Sequence, residues 1–102
     1  MQALLTDHLA DVDALCRRCG VVRLDLFGSA TREDFDPATS DLDFLVTFSQ
    51  AAKRRAFDNY FALREGLEAL FGRTIDLVTA DQLRNPHLIA ELAASRQKIY
   101  AA

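Results

Sequence analysis

Apolar residues recur at three- and four-residue spacing over the first twenty positions: Leu5, Leu9, Val12 and Cys16 form one line, with Leu15 and Cys19 beside it. This is the stripe of an amphipathic helix, and Gly20 is well placed to end it. The period then changes. Val21-Val22-Arg23-Leu24-Asp25-Leu26-Phe27 reads as a strand, and residues 41–48 read as a second one, rich in β-branched and aromatic side chains and preceded by a Pro/Thr/Ser loop. Helical spacing returns between Ser49, a candidate N-cap, and Phe71, with Gly72 as the stop. Ala56, Tyr60, Leu63, Leu67 and Leu70 form that helix's apolar stripe, widened by Phe57, Phe61 and Phe71, and its aromatics are expected in the core. The internal Gly66 costs about 1 kcal/mol against Ala, which packing must override. Lys53, Arg54 and Arg55 would lie in the first turn, where they oppose the helix dipole and read as a solvated face.

Residues 74–79 read as a third strand, with Ile75 and Leu77 on one face and Asp76 on the other. Asp81 and Asn85-Pro86 punctuate a turn. A further amphipathic helix is expected over 87–94, with Leu88, Ile89 and Leu92 inward and His87 on the surface at its start. Lys98-Ile99-Tyr100 reads as a short terminal edge strand. Three main strands, the short terminal one aside, and about three helices in this order predict an α/β (α+β) fold, a small mixed β-sheet with helices packed on one face.

The chain has 102 residues, half of them hydrophobic and about a quarter charged, which predicts one folded domain over residues 1–102. The net charge of −3 argues against a broad electrostatic footprint for duplex nucleic acid. No apolar run approaches the ~20 residues of a membrane span, and no signal peptide is visible. Two cysteines without a disulfide framework fit a reducing cytoplasm. Cys16-Arg17-Arg18-Cys19 has C-x-x-C spacing, but it lies at the C-terminal end of the predicted helix, where the dipole does not lower a thiol pKa. A zinc site would need about four ligands, and the remaining His8 and His87 are poorly spaced for one. Packed core thiols are the expectation.

The stretch between the first two strands carries the candidate chemistry. Asp41 and Asp43 alternate along a strand and so share one face, where two like charges repel unless a cation lies between them. Hard oxygen ligands of this kind suit Mg²⁺, which takes one or two carboxylates plus substrate phosphates. Gly28-Ser29 follows the first strand at once. A glycine there lets backbone amides approach phosphate oxygens, and the Ser29 hydroxyl adds a hydrogen bond. Arg32 is either a phosphate partner through its guanidinium or a solvated loop charge. Glu33, Asp34 and Asp36 are expected in solvent.

Phe27-Gly28-Ser29, eleven residues, then Asp41-x-Asp43 resembles the signature of the polymerase-beta-like nucleotidyltransferase superfamily. Arg32 and Ser40 resemble its short members, the minimal nucleotidyltransferases. The resemblance covers nearly the whole chain. It implies a third carboxylate on a later strand, for which Asp76 is the candidate. It also implies transfer of a nucleoside monophosphate, with Asp41, Asp43 and Asp76 holding two Mg²⁺ ions and Gly28, Ser29 and Arg32 on the phosphates. Stand-alone minimal members resemble antitoxins that add AMP from ATP to a tyrosine of a HEPN-family toxin, in a homo- or hetero-oligomer. Two alternatives stay open: neutralisation of the toxin by binding alone, and transfer to a small molecule such as an aminoglycoside. Nothing in the residues themselves specifies adenine.

Overall fold

The computed structural model describes residues 7–27, 42–79, 86–87, 89–90 and 96–102. In chain order these form helix α1 (Leu9–Arg18), strands β1 (Val21–Phe27) and β2 (Leu42–Phe48), a short helix α2 (Gln50–Lys53), helix α3 (Ala56–Phe71), and strands β3 (Ile75–Thr79) and β4 (Gln97–Ala101). The sheet order is β3-β2-β1-β4. β1 runs antiparallel to both β2 and β4, whereas β2 and β3 are parallel. The crossover between the parallel pair is made by α2 and α3, since parallel strands cannot be joined by a tight hairpin. β4 is the terminal edge strand expected from Lys98-Ile99-Tyr100, and it gives the mixed sheet its fourth member.

One face of this sheet makes the core. Leu24 and Leu26 of β1, Leu42, Phe44 and Val46 of β2, Ile75 and Leu77 of β3, and Tyr100 of β4 all point to it. Val12, Leu15 and Cys16 of α1, Ala52 of α2, and Leu63, Leu67 and Phe71 of α3 close over them. Among the described residues, α1, α2 and α3 therefore pack on the same face. The expected core thiols are found there: Cys16 and Cys19 are free and buried. Burial, followed by the neighbouring Cys19 and Asp13, pushes the Cys16 thiol up to about 12.

Two glycines explain how the layers fit. Gly20 has φ +72, and a Cβ there would stand 2.6 Å from the Cβ of Ala52. Its carbonyl accepts a hydrogen bond from Ser49 N at 2.9 Å, joining the end of α1 to the start of α2. Gly66 lies where α3 crosses α1, and a Cβ would meet Leu15 Cδ2 at 2.6 Å. Close helix contact thus offsets its poor helix propensity.

The predicted helix over 49–71 is divided. Ser49 Oγ accepts from Ala52 N at 3.1 Å and caps α2, but Arg55 (φ −125, ψ 46) leaves helical geometry before α3 begins. Lys53 consequently stands in the last turn of a short helix, where a cation suits the dipole. The break also turns the first turn of α3 outward. Phe57 is 75% exposed and Phe61 37%, so these two aromatics are not core residues. They lie against each other, with ring centroids 4.6 Å apart and planes tilted by 47°. Tyr60, beside them, donates its hydroxyl to the carbonyl of Leu77 at 2.6 Å. Pro86, His87, Ile89 and Ala90 are helical, yet Ile89 is 48% exposed rather than inward. Leu5, Leu88 and Leu92 lie outside the described residues. Among the described residues no helix is long and apolar enough to cross a membrane.

Candidate functional site

Because Leu42 and Phe44 enter the core, Asp43 between them must project from the opposite sheet face. Ile75 and Leu77 impose the same direction on Asp76. The parallel register then pairs Asp43 directly with Asp76. Adjacent strands lie about 4.8 Å apart, so two carboxylates from different parts of the chain stand side by side on one face. Leu42 N donates to Thr74 O at 3.4 Å and fastens the strand starts together. Asp43 is half-buried and Asp76 is exposed, so the pair opens to solvent at the β3 side.

Two like charges at about 5 Å repel by roughly 1 kcal/mol even at the dielectric of water. A hard divalent cation removes that repulsion, and two carboxylates are what Mg²⁺ takes from a protein when phosphates and water complete its shell. Among the described residues no third His, Cys, Asp or Glu joins the pair. Asp41, the other candidate ligand, lies outside the described residues, as do Gly28, Ser29 and Arg32. The chain nevertheless enters Gly28-Ser29 directly from the carboxylate row, because Phe27, the last residue of β1, is the register partner of Asp43.

The same face carries a charged group that sequence reading passed over. Asp25, the diagonal neighbour of Asp43 across the β1–β2 pair, is 1% exposed. Arg23 Nε donates to its Oδ1 and Oδ2 at 3.1 and 3.0 Å. Arg96 Nη2 lies 2.9 Å from Oδ2. A buried carboxylate is tolerated when it is paired and hydrogen-bonded in this way. An arginine two residues before an aspartate in one strand was a readable signal, since both side chains must share a face. The contribution of Arg96, some seventy residues away, was not readable.

Comparison with known proteins gives this arrangement a family. Residues 12–99 match the nucleotidyltransferase domain. A Methanocaldococcus jannaschii protein, provisionally named a protein adenylyltransferase, is 35% identical over 63 residues, or 62% of this chain and 61% of that protein. The match thus spans less than two thirds of that relative's length. A solved structure described as a minimal nucleotidyltransferase is 33% identical, with a TM-score of 0.68 over 91% of this chain and 90% of that one. The fold also matches a chain in the complex of a tri-AMPylated Shewanella oneidensis HEPN toxin with its MNT antitoxin, at TM-score 0.62 and 15% identity, covering 96% of this chain and 73% of that one. The chain belongs to the nucleotidyltransferase domain family, as one of its minimal, polymerase-beta-like members.

Proposed function

We propose that this protein is a Mg²⁺-dependent adenylyltransferase that transfers AMP from ATP to a tyrosine hydroxyl of a HEPN-type toxin, and so serves as that toxin's antitoxin. The observation that carries the reading is the in-register pair Asp43 and Asp76, level with Phe27, the residue that precedes Gly28-Ser29 in the chain. The provisional name of the archaeal relative supports a protein acceptor, and the fold match to the antitoxin of an AMPylated toxin supports the class of partner.

In this reading residues 1–102 act as one catalytic domain. Asp41, Asp43 and Asp76 would hold two Mg²⁺ ions, which would supply positive charge opposite the α-phosphate and the departing pyrophosphate. The amides after Gly28, the Ser29 hydroxyl and Arg32 grip the β- and γ-phosphates. Asp76, exposed at the β3 side, accepts the proton of the incoming hydroxyl. The acceptor oxygen bonds to the α-phosphorus as the bond to the β-phosphate oxygen breaks, and pyrophosphate leaves. The buried thiols need no oxidant, which fits a cytoplasmic setting.

The test is incubation with Mg²⁺ and α-labelled ATP, with and without the product of the neighbouring gene. Label is expected on the neighbour and is lost in the Asp41→Ala/Asp43→Ala variant. A stable complex without label would replace catalysis by stoichiometric neutralisation. Neither label nor complex would sink the assignment of acceptor.

A further inference from the structure

We propose that Arg96, held by the buried carboxylate of Asp25, is a polyphosphate-binding position beside the carboxylate pair. The inference rests on the nucleotide reading above and adds a residue to it that no sequence signature supplies. Register places Arg96 first. Gln97 pairs with Leu26, so Arg96, one residue earlier on an antiparallel strand, is level with Phe27. Phe27 pairs with Asp43 and Asp43 with Asp76. One row across the sheet thus reads Arg96, Phe27, Asp43, Asp76, with Arg96 about 10 Å from Asp43 by two strand spacings.

Charge gives the second argument. Among the described residues, Asp25 is the acid that holds Arg23 and Arg96, and its register partner on β4 is Lys98. Among the described residues, two arginines on one carboxylate, with Lys98 level with it on the neighbouring strand, give this part of the sheet more cations than acids. The next row of the same face holds two adjacent acids. In a protein of net charge −3 this is a local separation of sign, not a basic surface. It matches a ligand with a metal ion at one end and extra anionic oxygens at the other.

Geometry gives the third. Arg96 uses Nη2 on Asp25 and keeps 39% of its side-chain surface in solvent, so a guanidinium with five donors retains capacity for an anion. Asp25, by contrast, is 1% exposed and holds the guanidinium in place rather than meeting a ligand. Asp25 and Asp43 are diagonal neighbours, about 7–8 Å apart at Cα. A phosphate chain anchored near Asp43 can cross such a gap, toward the strand end from which Gly28 continues. Arg96 therefore binds an oxygen of the β- or γ-phosphate, and Asp25 is its positioning residue.

The experiment is calorimetric titration of the full chain with Mg-ATP and with Mg-AMP, without acceptor, for wild type, Arg96→Ala and Arg96→Lys. Loss of one charge-assisted hydrogen-bond partner predicts a drop in ATP affinity of about tenfold or more in Arg96→Ala. AMP has no β- or γ-phosphate, and its affinity should change less than about twofold. Arg96→Lys keeps the charge without the fork and should fall between, which guards against misfolding of the alanine variant. An Arg96 that only clamps β4 would lower the ligand-free melting temperature and weaken ATP and AMP alike, and that result overturns the inference. Unchanged ATP affinity in both variants overturns it too, with the nucleotidyltransferase reading intact. Failure of the wild type to bind Mg-ATP at all would overturn both.

Discussion

Replacing Asp76 by Asn should leave the ligand-free protein as stable as the wild type or slightly more so, while removing its response to Mg-ATP. Asp76 and Asp43 are register partners on parallel strands, so their charges lie about 5 Å apart. Coulomb's law gives about 1 kcal/mol of repulsion at that distance with water's dielectric, and about 3 kcal/mol at an effective dielectric near 20. Asp76 is exposed, so the lower figure applies. Urea unfolding in EDTA at neutral pH should therefore give Asp76→Asn a gain between zero and about 1 kcal/mol, shrinking as salt is raised. With Mg-ATP at about a hundred times its dissociation constant, the wild type should gain about 2.7 kcal/mol by mass action, and the variant should lose most of that gain. A loss of more than about 1 kcal/mol for Asp76→Asn in EDTA would contradict a repulsive pair. It would mean that Asp76 supports the fold through a favourable contact, and that the pair is not a cation site kept at a cost in stability.

Gly20→Ala should destabilise by about 1–2 kcal/mol for a non-glycine residue in the left-handed region and by about 1–3 kcal/mol more for overpacking against Ala52, read as a lowered melting temperature. An unchanged melting temperature would show that the α1–β1 turn tolerates a Cβ. The thiol of Cys16, pushed up to about 12, should resist alkylation in the native protein near pH 8 and react once denaturant is added. Its folded pKa exceeds the ordinary 9.0, so the native state keeps a proton that the unfolded chain gives up. The stability linked to this group is intact below about pH 9 and is lost as pH rises towards about 12. Rapid labelling of the native protein would contradict that burial.

Much of the fold was legible because the patterns were local. Arg23, Leu24, Asp25 and Leu26 alternate within β1, which ends just before Gly28, and Ile75, Asp76 and Leu77 alternate around one acid, so side-chain direction there followed from the backbone period alone. The break at Arg54 and Arg55 was not legible. Apolar spacing continues through it, whereas the break shows in the backbone of Arg55 and in the close approach of Ala52 to Gly20, a contact distant in sequence. Phe57 and Phe61 followed the same pattern and failed for the same reason: periodicity reports a face, not what covers it.

For the candidate site, local sequence is enough to tell which residue types are present, that Asp43 and Asp76 must leave the core face, and that Gly28-Ser29 follows β1. Each of these depends on neighbours within a few positions. That β2 and β3 are adjacent and parallel with Asp43 opposite Asp76, and that Arg96 returns along β1 to meet a buried Asp25, depends on the fold as a whole. Strand order and register are set by the summed packing of the whole apolar face. A slip of one residue would turn Asp76 into the core, and the burial of Ile75 and Leu77 forbids it.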